Sequence, residues 1–468
     1  MFEILRDLTP RDAGFPARTH ALTILKRVLD GSLYDVLPFE FHQERGPGGE
    51  YIPLRQRRPS VRYALARVVV EDAVALLFSD SHFPTIDSPD PAVRAALADL
   101  MKETRLNQVM IEAAMAGSVG SVALLLRVLK GRAFVGVVDS TWLTPTWLPD
   151  QPDILASVTE RYKVPGKVLT ASGYDIADTA ATYWFMRRWD ATDETWFLPA
   201  RVGDDGDALI DDSRSMRHGL GFVPIVWIRN LPGPSATGDP IDGACTFRAA
   251  IETGIEIDYQ LSQAGRGLKY SSDPTLLIKE PAAGDAEIVK GAGNALVVSE
   301  KGDAKLLEIG GTASAAVIEY VRMLRELALE SVHGNRASAD RISAAQSGRA
   351  LELMNQGLIW LADKLRISYG EGALLELARM ILRASQVYRL TAFGESLPAL
   401  DPSARLSLKW PRWYPPSAED RERDARTLST LAAAGQISRE TAVQSIADAY
   451  DIEDVPGEIA RIATPNQG

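Results

Sequence analysis

The sequence predicts an α+β fold, and three observations carry that expectation. Apolar residues recur at helical spacing near the N-terminus and again through the second half, whereas residues 121–228 switch to short apolar runs divided by turn residues. Two helical segments, 242–268 and 312–332, flank a small insert of β character. Between the second of these and a further apolar helix lies "GNRASADRISAAQS", residues 334–347, where Ile342 is the only large apolar side chain.

The elements follow in order. A helix over 59–78 starts after Pro59-Ser60 and places Val61, Leu65, Val68, Val69, Ala73 and Leu76 on one face. A second covers 91–116 and stops at Gly117. The run "SVALLLRVLKGRAFVGVVDS" reads as a hairpin around Lys130-Gly131. Strands follow at "ILASVTERYKV", "AATYWFMRRW" and "TWFLPARV", and Asp205-Gly206 suits a tight primed turn. Val223 to Ile228 is a strand, and its Pro/Gly/Ser-rich tail reads as an irregular connector.

Beyond the connector, Phe247, Ile251, Ile255 and Tyr259 stand four apart on helix 242–268. In 312–332 the apolar positions are Val317, Val321, Leu324 and Ala328. Leu351, Met354, Leu358, Leu361 and Leu365 then alternate 3-4-3-4 along a helix that extends toward residue 386. The last hundred residues hold a strand ("ARLSLKW"), the connector "PRWYPP", and helices around 418–434, 438–449 and 456–463.

Composition narrows the function. With 46% hydrophobic and 24% charged residues the chain has the balance of a globular protein. The lone Cys245 excludes an internal disulfide framework, and no secretory signal or membrane span is expected. A net charge of −11 argues against wrapping DNA on a basic surface, though not against letting DNA slide past. His20, His42, His82, His218 and His333 are scattered, with no paired-ligand spacing, so no metal is expected. "GDDGD" fails the calcium-loop spacing, and "YGEGALLEL" lacks the third glycine and the preceding strand of a dinucleotide fingerprint. No GxxxxGK[ST] or GxSxG occurs, so the expectation is no catalytic residues, no cofactor and no enzyme.

The order of segments resembles the portal proteins of tailed bacteriophages, the head-to-tail connectors. The pieces are "VRYALARVVVEDAVALLF", "NQVMIEAAMAGSVGSVALLLRV", "HGLGFVPIVWIRNLPG", "YSSDPTLLI", "SGRALELMNQGL" and "WPRWYPPSAEDRERDARTLSTLAAAGQISRETAV", spread over roughly 55–450. The resemblance implies an α/β wing at 1–241, a two-helix stem at 242–268 and 312–332, and a small β-containing clip at 269–311. It further implies a tunnel loop at 333–347, a long wing helix region at 348–399 and a helical crown at 400–468, the whole assembling into a ring.

What this implies for function is a DNA conduit at one capsid vertex, assembled in the host cytoplasm and kept in the virion, through which double-stranded DNA is packaged and ejected. Implied partners are further copies of the chain (a dodecamer), the terminase large subunit, head-completion or adaptor proteins, and capsid and scaffold proteins, with no membrane. The channel residues would be Asn335, Arg336, Ser338, Asp340, Arg341, Ser343 and Gln346; Lys279, Glu280, Asp285 and Lys290 of the clip would dock partners. Small polar side chains suit a loop facing a water-filled channel, and little burial offsets the cost of ordering it. Its arginines outnumber Asp340, and two readings stand: they face DNA, or they pair with acidic groups of neighbouring subunits. Val317, Val321 and Leu324 are expected at subunit boundaries. The alternatives are another ring-forming virion adaptor, or an α+β hydrolase with an unrecognised site.

Overall fold

The computed structural model describes residues 1–204, 207–272, 275–281, 298–307, 311–334, 352–353, 355–414, 418–447, 450, 452 and 454–463. Two compact units are present: Met1–Arg336 with Trp360–Pro411, and Ala337–Ile359 with Arg412–Gly468.

The first unit begins with helices α1 (Phe2–Leu8), α2 (Ala17–Asp30) and α3 (Leu65–Phe78) and a short parallel pair, β1 (Phe39–Glu40) and β2 (Arg57–Arg58). After β3 (Thr85–Asp87) the single helix expected over 91–116 is two, α4 (Pro91–Glu103) and α5 (Leu106–Gly117). The break is at Arg105, whose φ of 51° is left-handed and ends any α-helix. Asp90 caps α4 by accepting from the Ala92 N–H at 2.8 Å, with Pro91 at the first helical position.

Two sheets follow. The expected hairpin is β4 (Ser121–Leu129) and β5 (Arg132–Val138), and Lys130 and Gly131, at φ 52° and 83°, form the primed turn between them. Gly131 is doubly required, since a Cβ there would stand 2.8 Å from the Arg389 carbonyl. The remaining strands are β6 (Leu143–Leu148), β7 (Gln151–Pro165), β8 (Thr182–Trp189), β9 (Asp193–Trp196), β10 (Ala200–Arg201), β11 (Met216–Arg217) and β12 (Ile225–Arg229), with helix α6 (Gly166–Ala171) after β7. One sheet runs β11-β9-β8-β7-β6 with β10 on β8, and β12 begins the other by pairing with β4. Their shared core holds Ala123, Leu125, Val158, Trp189 and Ile225.

The helix expected from residue 242 begins later: α7 spans Ile251–Ser272, because residues 230–246 are an irregular but tightly bonded connector. Strands β13 (Thr275–Pro281) and β14 (Val298–Leu307) pair antiparallel, and α8 spans Gly311–Ser331. α7 and α8 pack with α3 through Leu65, Val69, Ile257, Ala328, Leu329 and Val332, and Val321 and Leu324 join this cluster. These two residues are partly buried on the chain's own helix cluster.

The long helix α9 runs from Gln356–Leu365 through a π-helical stretch, Arg366–Leu374, into Leu375–Val387. The glycines of "YGEGALLEL" lie in the π-helical stretch, where Gly370 packs against Trp410, so they form no phosphate loop. Hairpin β15 (Thr391–Ala392) and β16 (Glu395–Ser396) extends the second sheet beyond β5, and β17 (Ser407–Lys409) pairs with β3. The chain from residue 400 therefore starts inside the first unit. In the second unit, helices α10 (Ala418–Ala433), α11 (Arg439–Ala447) and α12 (Val455–Ala463) include a small core of Val443, Ala447 and Val455.

The first unit is tied by a buried ion pair. Arg18 of α2 grips Asp242 of the connector in a bidentate contact, Nε–Oδ2 2.7 Å and Nη2–Oδ1 2.8 Å. Its Nη1 donates to the Ser140 and Leu143 carbonyls at 2.8 and 3.2 Å, and the guanidinium stands over Trp227 at 5.4 Å. Asp242 also accepts from the hydroxyls of Ser121 and Thr237. Asp242→Ala would strand the Arg18 charge in the interior, at a cost of about 3–5 kcal/mol. The expected outcome is a lowered thermal midpoint for Asp242→Ala, with part of the loss recovered in Arg18→Met/Asp242→Leu.

Candidate functional site

The helices on either side of the polar segment, and what fixes their ends, make the candidate site. α8 stops by a defined device. His333 takes a left-handed φ of 55°, its N–H donates to the Glu330 carbonyl at 3.3 Å, and the Gly334 N–H donates to the Leu329 carbonyl at 2.8 Å. This is a Schellman closure, with its orphan carbonyls satisfied before the chain leaves the helix. Gly334 is buried against Leu329 and Val69, so the exit direction is set by α3.

The His333 ring meets Trp360 of α9 edge-on, with centroids 6.2 Å apart and planes at 83°. The C-terminal end of α8 and Trp360 of α9 are thus in contact.

Further along α9, a buried polar hub ties the helix to the sheet unit. Tyr369 Oη donates to Asn230 Oδ1 at 3.0 Å, while Asn230 Nδ2 donates to the Ala244 carbonyl and the Thr246 hydroxyl at 2.8 Å each. The Asn230 and Gly243 N–H groups both donate to the Gly120 carbonyl at 2.9 Å. Burial pushes the Tyr369 hydroxyl well above the usual tyrosine range, so it remains a neutral donor. A Cβ at Gly117 would lie 2.2 Å from that hydroxyl, so the α5 C-terminus must be glycine for α9 to approach. On α7, Asp258 accepts from Tyr34 Oη and from the Tyr63 N–H, each at 2.7 Å, and burial raises its carboxyl. The helix pair, the end of α8 at His333-Gly334 and the long helix from Trp360 onward are fixed to one frame.

Of the residues the sequence points to, Asn335, Arg336, Ser338, Asp340, Arg341, Ser343 and Gln346 lie outside the described residues, as do Asp285 and Lys290. Lys279 and Glu280 fall on β13, where Lys279 is paired with Asp303 of β14 and the register shifts before Pro281. Sequence reading missed Arg18, Asp242, Asn230, Tyr369 and Trp360. Only His333-Gly334 carried a legible signal, a glycine just past a helix end. Cys245 is buried, which pushes its thiol up to about 12 and leaves it unreactive. Among the described residues no group of His, Cys, Asp or Glu is placed to hold a metal ion, and no helix is long and apolar enough to cross a membrane.

The hub makes a testable claim. Tyr369→Phe leaves a buried Asn230 oxygen unsatisfied and is expected to cost about 1–3 kcal/mol in denaturant unfolding. Gly117→Ala is expected to destabilise as well, and the double variant to lose less than the sum, because removing the hydroxyl clears the space the methyl needs.

The family model described as phage portal protein, SPP1 Gp6-like, matches residues 38–467. No curated protein matches the chain. Among solved structures, the chain is similar to one from the virion of a native gene transfer agent particle, at 12% identity, with 93% of each chain covered and a TM-score of 0.37. It is similar also to one from the neck of a native gene transfer agent particle computed with C12 symmetry, at 11% identity, covering 82% of this chain and 88% of that one, with a TM-score of 0.37.

Proposed function

The chain belongs to the SPP1 Gp6-like phage portal protein family, and from that premise we propose that it forms a closed ring at one capsid vertex, through which double-stranded DNA is packaged and ejected. The observation that carries the reading is the family match over nearly the whole chain, 38–467. In this reading the sheet-bearing part of the first unit is the wing, α7 and α8 the stem, and the β13–β14 region the clip. The segment after His333 is the tunnel loop, α9 the long helix behind it, and the C-terminal helices from α10 onward the crown.

The physical chemistry suits a conduit. A DNA duplex carries one negative charge for roughly every 1.7 Å of its axis, so a basic lining would hold it fast. A chain of net charge −11, repeated around a ring, makes a strongly negative assembly that does not hold a polyanion fast. The energy for movement comes from a separate ATPase, the terminase large subunit, because this sequence has no phosphate-cradling loop of its own. The clip docks that motor and then the head-completion proteins; the wing meets scaffold and capsid. The protein acts by position rather than by turnover, without a cofactor.

Two experiments test this. Replacing Arg336 and Arg341 with Glu is expected to leave assembly intact and change the amount of DNA packaged or retained per ring. Leu358→Asp buries an unpaired charge at a site only 4% exposed and is expected to damage folding first. If the arginine variants instead block assembly while packaging per ring is normal, the segment is a structural joint. Separately, replacing residues 272–308 by a short linker is expected to preserve helical content and abolish motor binding; an unfolded product would contradict the clip assignment.

A further inference from the structure

The chain crosses from one sheet to the other through residues 218–222, the start of "HGLGFVPIVWIRNLPG". This loop leaves β11, at the edge of the first sheet, and leads to β12, which pairs with β4 in the second. Gly219 and Gly221 take left-handed φ of 59° and 76°, and nothing lies within 4 Å of where their Cβ atoms would stand. Those two positions give the loop the backbone freedom of a hinge.

The hinge is held shut from two sides. The His218 and Gly219 N–H groups donate to the Thr192 carbonyl at 2.8 and 2.9 Å, in the turn between β8 and β9. The Gly221 N–H donates to the Ala191 carbonyl of the same turn at 2.9 Å. From the end of α9, Tyr388 Oη donates to the His218 carbonyl at 2.5 Å. Arg383 of α9 donates to the Gly221 carbonyl at 3.4 Å, with its guanidinium 4.3 Å over the ring of Phe222.

The His218 ring closes the loop on itself. It is buried, and its Nδ1 accepts the Leu220 N–H at 3.3 Å. An accepting nitrogen carries no proton, so the hydrogen of the neutral ring is on Nε2. That atom is buried without a hydrogen-bond partner among the described residues. An imidazolium needs both nitrogens as donors, so charging the ring breaks the Leu220 bond and leaves a new charge in the interior.

The surrounding charges are few. Asp190 and Asp193 act on the ring from the β8–β9 turn and favour the cation. Arg217 precedes it on β11 opposite Asp193, and α9 presents Tyr388 and Arg383. Burial outweighs the pull of the two aspartates and holds the imidazole below its ordinary range.

We propose that His218 is an acid-sensitive latch on this joint: its neutral ring closes the loop, and protonation at Nδ1 releases it from the β8–β9 turn and from α9. Solvating the charged ring means swinging residues 218–220 outward. The two glycines allow that movement, and it breaks the bonds to Thr192 and Ala191. A group held below its ordinary range takes up its proton more readily once released. The latch is therefore at full strength above about pH 6.5 and weakens as pH falls below that value.

The test is hydrogen exchange of the full chain read by mass spectrometry, from about pH 8 down to about pH 4, with rates corrected for the intrinsic effect of pH. Peptides covering 214–224 are expected to lose protection several-fold, with the loss setting in near about pH 6.5. Peptides of the β4–β5 hairpin are expected to keep theirs. Asp190 does not confuse the reading. Burial raises its carboxyl, but the Thr192 and Asp193 N–H groups it accepts prevail and hold it low.

His218→Asn supplies an oxygen that can accept the N–H two residues on and that does not titrate, so this variant is expected to stay equally protected down to the carboxylate range. Wild-type protection that is level with pH, or that falls only in the carboxylate range near about pH 4, overturns the latch whatever the variant does. An asparagine variant that loses protection as wild type does overturns His218 as the titrating group. Equal loss in the β4–β5 peptides overturns a local joint in favour of general acid unfolding.

Discussion

The Arg18–Asp242 pair is the constraint around which the first unit is arranged. A bidentate guanidinium–carboxylate contact with a fully buried carboxylate stabilises only if every remaining polar atom finds a partner. That requirement recruits the start of β4 through Ser121, the Ser140–Leu143 turn, and the connector through Thr237. The Asn230 hub, reached through Gly120, continues the same logic into α9. Residues 230–246 have no regular secondary structure, yet this satisfied polar network fixes them, and α7 departs from them in one direction.

A fixed departure matters because of what lies downstream. α7 and α8 share a core with α3, and Asp258 tacks α7 to Tyr34 and Tyr63. The Schellman closure at His333-Gly334 ends α8, and the His333 ring meets Trp360 of α9. The π-helical stretch of α9 lies where Tyr369 must reach Asn230 and Gly370 must admit Trp410, a local cost set against two close contacts.

Much of the fold was legible because it follows from period and punctuation. Lys130-Gly131 announced its hairpin, Pro91 and Gly117 bounded helical sequence, and the three C-terminal helices fell within a residue or two of their observed limits. The errors have physical causes. Arg105 entered a left-handed conformation that no residue preference announces. Helix α7 began nine residues late because side-chain bonds to Asn230 and Asp242 held the preceding segment out of helical geometry. The partial burial of Val321 and Leu324 on the chain's own helices could not be read from their spacing, because a helical stripe says that a face is buried, not by what. The polar hub was invisible for a related reason: Arg18, Asn230, Asp242 and Tyr369 are far apart in sequence, and each alone looks like an ordinary surface residue. Family resemblance rested on the order of segments, which a one-dimensional reading can carry.

The central claim is that this chain is a ring-forming portal subunit. Imaging purified protein by electron microscopy tests it most directly. The account predicts closed rings viewed end-on with a central channel, at a mass many times the 51.0 kDa of one chain. A uniform population of single chains, or open filaments with no closed rings, across salt concentrations would contradict it.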